Sequence, residues 1–600
     1  MQAFDEESFQ DVSFNTGTWK RIFRLMGPLK LNVIFVVALA MLAALMDAAY
    51  PLINRYGIDT IIETGDIGLL PWFIGAYVVY MVVIGALIFA FIYFAEKIRN
   101  HTAYLIRRHA FEKLQELPFS YYDRTPAGWI MARMTSDSRQ LSELLSWGLF
   151  DLTWGGLMMI TLLVVMFILN VELALITISV LPVLIGLSIY FRKRILKTYR
   201  KIRKQNSRIT GAFSEGISGA KTTKTLVLEE SNYRDFDRLT SDMKRHSIKA
   251  ALFAGLYLPS ILFVAAIATG LIYYFGGLRV ADEVITIGLL YVFASYVMQF
   301  FEPVMQLANV LARIQQAQAS AERVVSLIDA VPEIKDSSEV EAVYGTISNP
   351  KKANWEPLKG DVTFENVSFT YKKGERVLDD FSLEVRSGES IALVGHTGAG
   401  KSTIVNLICR FYEPTEGRIL IDGRDYKDRS LSWLHANLGY VLQDPHLFSG
   451  NILENIRYGR LEATDEEVYE ASRIVGADAF IRKFPNGYQT EVNEGGARLS
   501  VGEKQLISFA RALLADPSIL ILDEATSSVD TTTEEKIQHA IETVMEGRTS
   551  FVIAHRLSTI VRADRILVLE HGKIIEEGDH ETLIKQRGQY YELYTNQFGN

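Results

Sequence analysis

Over the first three hundred residues the apolar positions come in runs too long for the helices of a soluble core. Stretches at 31–53, 69–93, 152–169, 173–190, 251–275 and 287–304 each come close to the ~20 residues a helix needs to cross a bilayer. They predict about six membrane spans. Only Asn170-Val171-Glu172 separates the third from the fourth, which predicts a tight helical hairpin. After about Val304 the pattern changes. An amphipathic run over 307–329 leads to a polar stretch with Pro332, Pro350 and Pro357, and then to short apolar runs divided by turns. Residues 362–369 alternate like a half-buried strand, whereas Ile519-Leu520-Ile521-Leu522 is continuous, the form of a strand covered on both faces. The expected organisation is a tail over 1–17, a helical membrane domain over 18–330, a linker over 331–360 and a globular domain over 361–600.

Charge orients the spans. Lys20, Arg21, Arg24 and Lys30 precede the first, Lys97, Arg99, Arg107, Arg108 and Lys113 follow the second, and Arg192–Lys204 is densely basic after the fourth. The opposite loops carry Glu63, Asp66, Glu172, Asp282 and Glu283, with Arg55 and Arg279 as exceptions. By the positive-inside rule, the N-terminus, both long connections and everything after the sixth span are cytoplasmic. The two connections, 97–147 and 192–249, are rich in helix formers and read as continuations of the spans. The polar, acidic start lacks the basic and apolar regions of a cleavable signal and reads as a disordered tail. A net charge of −8 across 600 residues argues against a nucleic-acid binder. The single cysteine, Cys409, forbids an internal disulfide and reads as a core residue in a reducing compartment.

Polar groups inside the spans raise separate questions. Glu302 precedes Pro303, so the carboxylate is expected to face a cavity or the cytosolic end, and the proline to kink the helix. Asp47 in the first span poses the same problem. Aromatic residues such as Tyr50, Tyr77, Tyr80, Tyr257, Tyr291, Tyr296 and Phe300 can line a pocket for apolar or amphipathic compounds. They can equally face lipid or pack between helices.

The densest chemistry lies at Gly395-His396-Thr397-Gly398-Ala399-Gly400-Lys401-Ser402, after the apolar run Ser390-Ile391-Ala392-Leu393-Val394. A strand feeding a glycine-rich turn and a helix presents backbone N–H groups and a positive dipole end to phosphate. Lys401 then reaches the β- and γ-phosphates, and the Ser402 hydroxyl holds Mg²⁺. Thr403 continues the loop into the helix. Asp523-Glu524 ends the Ile519–Leu522 run, where Asp523 can hold the Mg²⁺ shell and Glu524 can take a proton from attacking water. Gln443, after the strand-like 438–442, can sense Mg²⁺ and that water. His555, after 550–554, can bond the γ-phosphate, and Tyr371 can stack on adenine. The corners Arg124-Thr125-Pro126-Ala127-Gly128 and Ser214-Glu215-Gly216-Ile217-Ser218-Gly219 read either as simple turns or as cross-helices that press on the ATP-binding domain.

Tyr371, the phosphate loop, Gln443, Leu499-Ser500-Val501-Gly502-Glu503, Asp523-Glu524, Ser527-Ser528-Val529-Asp530 and His555 run in the order typical of ABC ATPases. With its six spans and long extensions the whole chain resembles an exporter-branch, type IV half-transporter. The resemblance implies a helical membrane domain fused to an α/β P-loop ATPase domain with a helical subdomain, and ATP and Mg²⁺ as cofactors. It also implies a dimer in which each ATP lies between one chain's phosphate loop and the other's Leu-Ser-x-Gly segment, with Asp530 in the D-loop. The family pattern in that segment is Leu-Ser-Gly-Gly-Gln. Here Val501 and Glu503 depart from it, while Ser500 and Gly502 are kept. This combination resembles the subunit of heterodimeric multidrug exporters that keeps the catalytic glutamate and offers its partner a weakened cap. A homodimer tolerating both changes is the alternative. The loop Thr490-Glu491-Val492-Asn493-Glu494-Gly495-Gly496 also departs from the family's Thr-Glu-Val-Gly-Glu-Arg-Gly. The expected function is ATP-driven export of hydrophobic or amphipathic compounds, drugs or lipids, across the cytoplasmic membrane. A lipid flippase, a peptide exporter and an ATP-gated channel are alternatives.

Overall fold

The computed structural model describes residues 15–371, 374, 376–496, 498–523, 531–554 and 557–598. The chain forms two compact units, one running to Gln115 and including Ala127–Ala330, the other joining Glu116–Pro126 to Val331 onward.

In the first unit six of the described helices are long and apolar enough to cross a membrane: Gly27–Ile62, Ile67–Glu116, Ala127–Leu169, Val171–Ser218, Glu229–Ala281 and Ile287–Leu307. Each contains an apolar run anticipated from the pattern. Several outrun any bilayer. Glu229–Ala281 has 53 residues, about 80 Å at 1.5 Å per residue, against ~30 Å of hydrocarbon. The basic connections are therefore helical extensions of the spans. The hairpin between the third and fourth spans is tighter than expected. Val171 and Glu172 already belong to the next helix, and Asn170 alone makes the turn. It manages this in an extended conformation (φ −163°), its side chain accepting the Leu173 N–H at 3.0 Å and so capping the new helix.

The sixth span breaks as its proline requires. Ile287–Gln299 ends, Phe300 intervenes, and Phe301–Ile328 begins anew. Pro303 has no N–H, and its ring would strike the Gln299 carbonyl, so it is accommodated in the first turn of the second helix. Glu302 is exposed beside it and accepts the Gln306 amide at 3.0 Å. At the other end of the bundle Asp59 ties the first span to the last. It accepts from the Gly288 N–H and the Thr286 hydroxyl, both at 2.8 Å, while pairing with Arg55 at 3.1 Å. The expected tail lies mostly outside the described residues. Asn15 already caps a helix, Thr16–Leu25, whose Trp19 and Ile22 are buried.

The second unit is built on a six-stranded sheet in the order Lys573–Gly578, Arg565–Glu570, Ser390–Val394, Thr549–Ile553, Ile519–Asp523, Leu438–Val441. All neighbours are parallel except the first pair. Ile519 and Ile521 enter one apolar cluster with Ile404 and Ile408; Leu520 and Leu522 enter another with Leu506 and Phe509. Burial on both faces explains why this strand has no polar alternation. A four-stranded antiparallel sheet, Arg376–Val385, Val362–Thr370, Glu416–Ile421 and Arg424–Asp425, lies in the first cluster. Helices Ile452–Arg457, Asp465–Ile474, Asp478–Ile481 and Val501–Ala515 pack in the second. The stretch 331–360 is folded onto this unit. It holds the helix Ser338–Tyr344 and a buried ion pair, Asp336 with Arg410 at 3.0 Å, and the Trp433 indole donates to the Glu356 carbonyl at 2.8 Å.

Candidate ATP-binding site

The parallel register decides what can meet at the sheet's edge. Leu393 lies opposite Ile553, Asp523 opposite Ile553, and Leu522 opposite Val441. The carboxyl ends of these strands are thus level, and the turns leaving them, with Gly395, Asp523 and Gln443, open on one side. That is where open α/β sheets bind ligands.

The loop after Ser390–Val394 has a shape only glycine permits. Gly395 has φ +151°, and a Cβ there would sit 2.3 Å from the Leu569 carbonyl oxygen. Gly400, at φ +105°, precedes Lys401–Ile408 with no side chain capping the helix start. The first-turn N–H groups are therefore open to an external acceptor, which suits a phosphate. Lys401 is buried and folds back along the loop, donating to the Gly395 carbonyl at 2.6 Å and the His396 carbonyl at 3.0 Å. Burial pulls its ammonium pKa below the ordinary lysine value, and the Asp523 carboxylate opposes that shift. His396, Thr397, Gly398 and Ser402 are exposed, while Ala399 and Thr403 are buried. The Thr403 hydroxyl lies 3.3 Å from the Tyr371 hydroxyl, and the Tyr371 ring meets Phe369 and Tyr412 edge-on at 4.7 and 5.2 Å. Tyr371 therefore flanks the loop, and Gln443 is exposed beyond Leu438–Val441. The cradle suits a triphosphate with Mg²⁺: open backbone donors, a lysine, and a hydroxyl and a carboxylate for the metal. Glu524, the segment 527–530 with Asp530, and His555 lie outside the described residues.

Comparison with known proteins agrees with this geometry. Residues 33–304 match the family described as ABC transporter transmembrane region, and residues 378–527 match that described as ABC transporter. A probable multidrug resistance ABC transporter ATP-binding/permease protein of Bacillus subtilis is 38% identical over 511 residues, covering 84% of this chain and 74% of the relative. This chain is an ABC transporter. An ATP-dependent lipid A-core flippase of Syntrophus aciditrophicus is 34% identical over 580 residues, 97% of this chain and 94% of the relative. The solved structure of a bacterial Atm1-family ABC exporter with ATP bound superposes with a TM-score of 0.75 at 27% identity, covering 98% of this chain and 100% of that one. The ABC transporter is accordingly an exporter-type half-transporter. It is a multi-pass membrane protein that dimerises and couples ATP hydrolysis, with Mg²⁺, to transport.

Two further features of this ABC half-transporter are seen in its side-chain contacts. First, Ser500 caps Val501–Ala515 in a closed box. The Ser500 N–H and hydroxyl both donate to Glu503 Oε2, at 2.8 and 2.9 Å, and the Glu503 N–H returns to the Ser500 hydroxyl at 3.4 Å. The Ser-x-x-Glu spacing is the sequence sign of such a box, a pattern that the Ser-x-x-Gln of Leu-Ser-Gly-Gly-Gln also meets without the charge. Val501 stands exposed in front of it, and Gly502 is buried behind. Second, the corner near Arg124 is a short helix, Phe119–Arg124, packed within the ATP-binding unit. Phe119 stacks on Phe411 with centroids 5.0 Å apart, the Tyr412 hydroxyl donates to Asp123 at 3.0 Å, and Arg124 pairs with Glu333 at 2.7 Å. Because Tyr412 also touches Tyr371, this corner is two rings away from the phosphate loop. The other corner bears the helix Ala220–Leu226, which buries none of its residues in this chain.

Proposed function

We propose that this half-transporter exports hydrophobic or amphipathic compounds as one half of a heterodimer whose two ATP sites are unequal. In the site built on this chain's phosphate loop, Lys401 and the backbone of Gly395–Thr403 hold the phosphates and Tyr371 flanks the base. Ser402, Gln443 and Asp523 hold Mg²⁺, Glu524 takes the proton of the attacking water, and His555 bonds the γ-phosphate. The partner's unaltered Leu-Ser-Gly-Gly-Gln segment would close that site. In the second site this chain supplies Ser500, Val501, Gly502 and Glu503. A β-branched residue and a carboxylate there oppose close approach to an anionic nucleotide.

The observation that carries the reading is what stands at the start of Val501–Ala515: an exposed Val501 side chain and the Glu503 carboxylate held against Ser500, where the helix start after Gly400 carries no side chain. The substrate class draws on relatives named for multidrug resistance and for a lipid A-core flippase. The test is purification of the tagged chain from its native membrane with mass spectrometry of what comes with it. A second, different half-transporter in equal amount is expected. Recovery of this chain paired only with itself would replace the reading with a homodimer.

A further inference from the structure

Most carboxylates on the membrane helices are held by a cation: Asp59 by Arg55, Asp151 by Arg313, Glu172 by Arg279. Asp47 is different. It lies within Lys30–Tyr56, about 12 Å of helix below Arg55 and roughly 25 Å from Lys30 at 1.5 Å per residue, so it falls inside the hydrocarbon. Among the described residues no lysine, arginine or histidine pairs with it. Its hydrogen bond comes from the indole N–H of Trp154, at 2.9 Å to Oδ2. The side chain is only half-buried. A carboxylate kept at this depth with a neutral partner is unfavourable for insertion, and intramembrane acids usually mark substrate or ion pathways.

Beside it stands a triangle of tyrosines. The rings of Tyr50, Tyr77 and Tyr80 have centroids 6.0, 5.9 and 6.5 Å apart. Their hydroxyls are engaged: Tyr77 donates to Tyr50 at 2.7 Å, and Tyr80 donates to the carbonyl of Met46, next to Asp47, at 3.0 Å. What the group offers a ligand is therefore ring surface next to a negative charge. Aromatic faces and a carboxylate in a water-poor setting recognise a cation carried on an apolar body.

We propose that Asp47 with Tyr50, Tyr77 and Tyr80 forms a subsite for lipophilic monocations, onium ions or protonated amines on an aromatic frame. This rests on the exporter reading above and narrows its substrate class by charge.

The test is equilibrium binding, without nucleotide, to the complete assembly purified in nanodiscs. The probes are tetraphenylphosphonium and the uncharged N-phenyl-1-naphthylamine. Saturable binding of the cation is expected for the natural protein. Asp47→Asn should shift the ratio of the two affinities by roughly tenfold or more towards the neutral probe. Asp47→Glu should hold that ratio within about threefold, and Tyr80→Leu should move it less than Asp47→Asn does. No saturable cation binding in the natural protein would overturn the proposal. So would parallel loss of both probes in Asp47→Asn, which would mark a structural role, or loss of neither. Because the readout needs no ATP, failed nucleotide-driven transport would sink the exporter reading and leave this test standing.

Discussion

Two helices of the ATP-binding unit start in opposite ways. Lys401–Ile408 follows Gly400 and has no side-chain cap, so its first-turn donors await an outside acceptor. Val501–Ala515 follows Ser500, whose hydroxyl accepts the Glu503 N–H while the Glu503 carboxylate accepts from the Ser500 N–H and hydroxyl. Both ends carry the same partial positive charge, which any helix N-terminus has. What separates the two starts is the group set against those N–H groups: none after Gly400, and at Ser500 a box that takes the Glu503 N–H and places a carboxylate beside the helix start.

If the open end is the hydrolytic one, Glu524→Gln should lower ATP turnover by roughly three orders of magnitude with nucleotide binding kept, as radiolabelled ATP retention against phosphate release would report. Near-normal turnover would remove Glu524 as the base. Lys401→Ala should weaken nucleotide binding about a hundredfold, measured by equilibrium dialysis, because a buried ammonium that serves the phosphates is lost from the open end. At the capped end the expected effect is smaller and opposite in sign. Val501→Gly with Glu503→Gln should tighten nucleotide binding at the site capped by this chain by about tenfold, measured by equilibrium dialysis on the assembled dimer, since glutamine still completes the box without the charge. Unchanged affinity would mean that the two helix starts do not set the two sites apart. Ser500→Ala should cost about 1 kcal/mol of stability through loss of the cap, visible as a small drop in melting temperature. Last, Asp123→Asn with Tyr412→Phe, which uncouples the corner helix from the ring beside Tyr371, should reduce transport per ATP a fewfold while hydrolysis persists. Proportional loss of both would make that contact structural.

Much of the site could be read directly because its residues are contiguous. The phosphate loop, the apolar strand before it and the acidic pair after Ile519–Leu522 each declare themselves within a dozen residues, where local backbone geometry dictates the residue type. The spans were equally legible, since lipid demands length and apolarity before any packing is considered. Other features were less so. The turn at Asn170 proved shorter than its polar neighbours suggested, because a residue such as Glu172 is welcome in the first turn of a helix. Residues 331–360 looked like a linker, yet they dock through Asp336 and Arg410, 74 positions apart. No local pattern announces such a pair.

The order of residues along the chain was enough to specify a membrane bundle, its orientation and a phosphate-binding turn, for each follows from short-range chemistry or from the solvent a segment must tolerate. Folding in three dimensions settled which distant groups became neighbours. Parallel register brought Gly395, Asp523 and Gln443 to one edge, and Tyr412 met Asp123 across 289 positions. Packing likewise left Asp47 beside an indole and three phenol rings. Such meetings depend on how whole helices and sheets pack, a property of the assembled surfaces that no stretch of residues carries alone.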